Sequence, residues 1–166
     1  MKKVNSEAIS SRSSAPILAW DFHCQYLKEI KAACADLKKV ARISDQFHWN
    51  KKNLKIEERI KNEVIVVTDL NMKIVFASNE IRKMTGYKEE EVLGKTPRIF
   101  QGQGTSQSVL NEIKEAIKLE IPFNKTLDNY RKNGEHYKCN IDAIPVFNLK
   151  GVLSHFIAFE KEDKSA

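Results

Sequence analysis

Between Trp20 and Ala41 the hydrophobic residues Leu27, Ile30, Cys34, Leu37 and Ala41 recur at alternating steps of three and four. Lys28, Lys31, Lys38 and Lys39 fall between them, so the spacing predicts one amphipathic helix with one apolar seam that begins at Trp20. Ser14 before Ala15-Pro16 is a helix-start signal, and residues 1–14, polar and rich in serine, read as a flexible terminus. The seam is too short to persist as an isolated coiled coil, and must lie against its own domain, a second copy or a partner. Asp45 to Trp49 interrupts it, and a shorter helical stretch with Leu54, Ile56 and Ile60 completes a segment spanning 15–61.

After Asn62 the period changes. The run Val64-Ile65-Val66-Val67-Thr68-Asp69 is β-branched and is followed at once by Lys73 to Ala77, which predicts a hairpin turning at Leu70-Asn71. Asn79 to Thr85 and Lys88 to Val92 read as short helical pieces parted by Gly86-Tyr87, and Gly94 and Pro97 break the chain again. A loop, Gln101 to Thr105, precedes a helix over Ser106 to Leu119 with Val109, Leu110, Ile113, Ala116 and Ile117 on one face. Three strands close the domain, at 123–131, 135–147 and 152–160, with Asn/Gly turns between them. The order predicts an α+β fold with one five-stranded antiparallel sheet over 62–161 and a tail at 162–166. Along the last strand Phe156 and Ala158 alternate with Ile157 and Phe159, so both sheet faces have to be covered. The short central helices cover one face, which leaves the other to the N-terminal helices, in cis or within a dimer.

Composition narrows the function. Hydrophobic residues make up 42% of the 166-residue chain and charged residues 30%, and no apolar run is long enough to cross a bilayer, so a cytoplasmic protein is expected. The net charge of +6 lies entirely in residues 1–61, with 13 basic against 7 acidic residues; the remainder carries 15 of each. The anions Asp21, Glu29, Asp36, Glu57 and Glu58 break up those cations, as on a solvated helix face, and make nucleic acid an unlikely partner. Cys24, Cys34 and Cys139 are odd in number and unclustered, indicating neither a disulfide framework nor a zinc site. No P-loop, metal-spaced carboxylates or nucleophile elbow occurs, and the expectation is that the chain is not an enzyme.

The stretches VIVVTD (64–69), IVFASNEIRKMTGY (74–87), EEEVLGKTPRIFQGQGT (89–105), NEIKEAI (111–117), NYRKNGEHY (129–137) and GVLSHFIAFE (151–160), in this order and spacing, resemble the PAS family of sensor domains, and within it the LOV subgroup. The resemblance implies a five-stranded sheet with short helices on one face and, here, the N-terminal helices on the other. In the LOV pattern a reactive cysteine follows the EVLG segment; that position is Pro97, which has no thiol, so no light-driven cysteinyl adduct is expected. By the same resemblance Arg98, Gln101 and Lys114 match residues that hold a flavin's phosphate and ribityl chain, and Asn129 matches one that bonds its pyrimidine edge. Cys139 replaces a second asparagine, and Glu160 replaces the glutamine beside the flavin's redox-active nitrogen. The cofactor is thus left open between FMN or FAD and another ligand or none. Heme is not expected, because none of His23, His48, His136 and His155 is placed to be an axial ligand.

Glu160 shares an inward face with Phe156 and Ala158, where an unpaired carboxylate is costly, so it is expected to pair with Lys125, to be hydrogen-bonded, or to have a raised pKa. The functional expectation is a stand-alone sensory and protein-interaction module with no encoded effector. It would signal as a homodimer, or by docking on a histidine kinase or transcription regulator, through the N-terminal seam. The alternative is a flavin-binding redox sensor.

Overall fold

The computed structural model describes residues 17–163, residue 53 excepted, and side chains from residue 21 onward; the expectations for residues 1–14 and for the Trp20 side chain fall outside it. The chain divides between Lys31 and Ala32 into two compact units. The described part of the first is the opening of helix α1 (Ile17–Gln46), on which every side chain from Asp21 to Lys31 is exposed. The second holds the rest of α1, a short α2 (Ile56–Arg59), strands β1 (Val64–Thr68) and β2 (Ile74–Ala77), helices α3 (Ile81–Thr85) and α4 (Glu89–Val92), and a 3-10 turn at Pro97–Phe100. Helix α5 (Gln107–Lys118) and strands β3 (Phe123–Tyr130), β4 (His136–Phe147) and β5 (Leu153–Glu162) complete it.

The five strands form one antiparallel sheet in the order β2-β1-β5-β4-β3. The β1–β2 connection is closed by Asp69, whose Oδ1 accepts from the backbone N–H groups of Asn71 and Lys73, while Met72 takes a positive φ. Residues opposite one another across antiparallel strands share a face. One inner row is therefore Phe123, Ala143, Ala158, Val66 and Ala77, and the next is Lys125, Ile141, Glu160 and Val64. On the outer face Ile157 and Phe159 pack with Ile65, Val67 and Phe76.

The outer face is covered by the N-terminal segment, but not by the seam expected from the sequence. Leu27, Ile30, Cys34 and Ala41 are exposed, whereas Ala33, Leu37, Val40 and Ile43 of α1 pack on the outer-face core together with Trp49, Leu54, Ile56 and Ile60. The helix carries two apolar stripes roughly 100° apart about its axis; the buried one shares only Leu37 with the heptad pattern. Its rotation is fixed by Asp36, counted from sequence as a solvated anion but only 2% exposed. The Asp36 carboxylate accepts from the backbone N–H and the side-chain amide of Asn79 at 2.7 and 2.8 Å. Lys39 pairs with Glu89 on the same side of the helix. Trp49, read as part of an interruption, is a core residue: its indole N–H donates to Nδ1 of buried His155 at 3.1 Å.

Candidate functional site

Inside the sheet a cavity of about 90 Å³ lies under α5 and the turn at Pro97. That volume is several times the roughly 10–15 Å³ one water needs. Its walls are Val66, Ala143, Phe156 and Ala158 from the sheet, Leu110, Ile113 and Ile117 from α5, and Met72 and Pro97 at the rim. The walls follow from two periodicities already in the sequence: step-two positions of the strands and step-three/four positions of α5. Helix α5 is anchored at its start by Ser106, whose hydroxyl accepts from the Val109 N–H. Against this apolar lining stand Thr68, Gln101 and Glu160.

Of the six residues singled out from sequence, Gln101 and Glu160 line the cavity. Asn129 and Cys139 are buried on the same strand face as Leu127, which also lines it. Arg98 and Lys114 are exposed and enter no ion pair among the described residues. Pro97 also lines the cavity.

Glu160 is 4% exposed and does not pair with Lys125, contrary to one expectation: Lys125 sits in the same row but bridges to Glu112 of α5, where both charges reach solvent. Among the described residues the one hydrogen bond to the Glu160 side chain is a weak one from the Cys139 thiol at 3.9 Å. Burial without a cation pushes the Glu160 carboxyl up to about 7, the thiol contact lowering it slightly. Burial, and then the neighbouring Glu160, hold the Cys139 thiol well above its ordinary range, so it is a neutral small hydrophobe rather than a nucleophile. Tyr137, paired across the ladder with Asn129, was not anticipated as part of this cluster; burial raises its phenol as well. The Asn129 side chain, close to the phenol, acts the other way and lowers it, while the Tyr137 hydroxyl and the Asn129 Oδ1 are both buried without a partner of good hydrogen-bond geometry among the described residues. Orphaned buried polar atoms cost about 1–3 kcal/mol each, and these two belong to residues paired directly across the β3–β4 ladder.

The loop between the 3-10 turn and α5 is held by Tyr130. The Gly104 N–H donates to the Tyr130 hydroxyl at 2.9 Å, and Thr105 Oγ1 donates to the Asp128 carbonyl. A Cβ on Gly102 would stand 2.4 Å from the Tyr130 ring, so only glycine permits this approach. The sequence marked this stretch only as a loop; the tyrosine that pins it lies 26 residues from Gly104 and gave no local signal.

The sheet order, the short helices on its inner face and the cavity beneath them define a sensor domain of the PAS type. The PAS domain family model matches residues 62–162, and the chain belongs to that family, in its LOV-like subgroup. The chain is 40% identical over 85 residues to a blue-light-activated histidine kinase of Brucella canis, covering 51% of this chain and 17% of that protein. It is 41% identical over 88 residues to the protein TWIN LOV 1 of Arabidopsis thaliana, covering 52% and 22%. The chain thus spans about a fifth of the length of these relatives. Among solved structures, the light state of the blue-light photoreceptor Aureochrome1 LOV superposes with a TM-score of 0.61 at 23% identity, over 69% of this chain and 91% of that one. The LOV domain of a blue-light-activated histidine kinase from Erythrobacter litoralis gives 0.57 at 20%, over 60% and 94%. At these identities the superpositions establish the fold.

The residues fit a flavin in part of its outline. The Asn129 Oδ1 is an acceptor suited to an imide N–H, a neutral Glu160 carboxyl is a donor suited to a ring nitrogen or carbonyl, and Arg98 and Lys114, without an ion pair among the described residues, are cations suited to a phosphate, but of these four only Glu160 lines the cavity.

Proposed function

We propose that the chain is a non-enzymatic signalling module in which the state of the inner cavity alters the outer face of the sheet, and through it the contacts of α1 with a second copy or with a partner such as a histidine kinase or transcription regulator. One observation carries this reading. Strand β5 is a single residue layer between the two: Phe156, Ala158 and Glu160 line the cavity, while the alternate residues Ile157 and Phe159 pack in the core that holds Val40 and Trp49 of the N-terminal cover. A ligand that shifts β5 on one side must be felt on the other, because close-packed cores transmit displacement rather than absorb it. Pro97 in the cavity lining, a residue without a thiol, supports signalling without a cysteinyl adduct. The relatives, blue-light-activated histidine kinases among them, support a role in signal transduction.

The test is to fill the cavity from within. Ala143→Leu adds apolar volume on the row of Ala158 without touching the outer face. Amide exchange in α1 from Ala33 to Gln46 is expected to change in this variant; exchange altered only in β3 to β5 and α5 would count against coupling.

A second reading, a flavin-binding redox sensor, is favoured by the orphaned Asn129 Oδ1. A bound flavin would supply a redox couple. Arg98 and Lys114 would hold its phosphate, Gln101 its ribityl chain, and Asn129, Cys139 and Glu160 would bound its ring, with Glu160 holding or releasing a proton at its Oε atoms. A tricyclic ring needs more room than the present cavity, so this reading requires the lining to yield on binding. Arg98→Glu should then abolish cofactor retention while leaving the fold intact; unchanged flavin content in that variant would refute the placement.

A further inference from the structure

We infer that Trp49 and His155 form a proton-released latch on the N-terminal cover: a proton taken up at Nδ1 of His155 turns that nitrogen from the Trp49 indole to the Ser154 hydroxyl and frees the chain at 47–50 from the sheet. This input acts at the outer face, goes beyond the cavity reading, and stands whatever the cavity holds.

The indole N–H of Trp49 can only donate, so Nδ1 of His155, 3.1 Å away, is the acceptor and the imidazole is neutral with its proton on Nε2. Ser154 Oγ stands 2.7 Å from the same Nδ1. A hydroxyl donates or accepts, so the two neighbours respond differently: once Nδ1 carries a proton, Ser154 turns to accept it, whereas Trp49 has nothing to donate to. Trp49 is 2% exposed, and its N–H would be left a buried donor without a partner. The ring thus has two bonded arrangements, one that holds Trp49 and one that does not.

What Trp49 holds is a strained, narrow attachment. Just past the end of α1, His48 has a φ of 51°, in the left-handed region that a non-glycine residue rarely adopts. Beyond it the chain lies along the end of β4, where the Asn50 N–H donates to the Phe147 carbonyl and the Leu149 N–H to the His48 carbonyl, both at 2.8 Å. Phe47 makes an edge-to-face contact with the His155 ring. His155 itself lines the open groove between Ile43 and Phe47 on one side and Leu70 and Val75 on the other, and its Nε2 bonds no described residue, so the ring has a path to solvent. Of the charges around it, Asp69 in the β1–β2 turn favours the cation. Arg42, Asp45, His48 and Lys51 of the N-terminal segment, Lys73 of the hairpin and Lys150 of the β4–β5 turn are exposed, and none bonds the ring. Burial outweighs Asp69 and holds the imidazole below its ordinary 6.5, so the latch is shut near neutrality and opens on the acid side.

The full chain carrying Trp20→Phe reports on Trp49 alone, since the sequence has two tryptophans. Acrylamide quenching of its fluorescence is followed from about pH 7.5 to about pH 4.5, across the imidazole's transition, with far-UV circular dichroism alongside. The expected result is a quenching constant that rises at least about fivefold toward the acid end while the dichroism holds, as a local opening requires. His155→Asn in the same chain, whose amide oxygen accepts the indole N–H but takes up no proton, should keep Trp49 shielded throughout. Ser154→Ala removes the acceptor of a charge-assisted bond that the protonated ring alone can make, and should move the rise to lower pH. Quenching that does not change with pH, the same rise in His155→Asn, or a rise that comes only with loss of the dichroism overturns the inference. So does a midpoint in Ser154→Ala that stays in place or moves up. If His155→Asn fails to fold, the direction of the Ser154→Ala shift decides alone.

Discussion

A carboxyl whose pKa is about 7 in the folded chain and 4.5 when unfolded takes up a proton on folding between those values. The stability that the neutral form of Glu160 permits is complete below about 4.5 and is lost as pH rises through about 7, roughly 3 kcal/mol in all. His155 acts from the other side. Burial lowers its pKa below 6.5, and its Nδ1 accepts from the Trp49 indole, so the folded state is weakened as pH falls below 6.5 and the unfolded imidazole charges first. Denaturant melts across pH should show the alkaline loss vanish in Glu160→Gln and the acid one shrink in His155→Asn. An alkaline slope that persists in Glu160→Gln would mean that another group titrates. Strand alternation was enough to identify Glu160 as an inward acid. That Lys125 turns instead to Glu112, and that Tyr137 joins the cluster, depend on how α5 and β4 are placed in space, which no spacing along the chain encodes.

Individual elements were legible to different degrees. β-Branched runs and Asn/Gly turns marked all five strands within a few residues, because each signal is local. The phase of α1 was not legible, since the helix carries two apolar stripes and the heptad count selects the one that remains exposed. What decides between them is the pair of bonds from Asn79 to Asp36, made between residues 43 apart in sequence. Asp36→Ala should leave the Asn79 backbone N–H unsatisfied and cost about 1–3 kcal/mol, with faster amide exchange in α1 from Ala33 to Gln46; a variant as stable as wild type would show that Leu37, Val40 and Ile43 alone seat the helix. The loop before α5 supports a second test at this scale. Gly102→Ala drives a methyl into the Tyr130 ring and should cost roughly 1–3 kcal/mol, and Tyr130→Ala in the same chain should recover most of it. Failure of that rescue would place the strain in the backbone of the loop.

In the whole molecule the unexplained surface is the first part of α1, where Phe22, Tyr26, Leu27 and Ile30 are 81%, 56%, 44% and 41% exposed. Leaving such side chains in water forfeits up to about 1.5–3 kcal/mol each, and a second copy or a signalling partner would recover it. Light scattering should find a dimer at tens of micromolar, and Leu27→Asp with Ile30→Asp should give a folded monomer, because neither residue belongs to the core. A double variant that stays dimeric would move the interface elsewhere. Among the described residues no helix is long and apolar enough to cross a membrane. The account turns on a cavity that holds a ligand without a covalent bond and passes its state through β5. Mass spectrometry under native and then denaturing conditions, before and after blue illumination, tests this most directly. The account predicts a ligand-bearing species under native conditions that denaturation reduces to the bare chain mass, in the dark and after light alike. A ligand that stays on the denatured chain after illumination, or a native protein carrying no ligand at all, would contradict it.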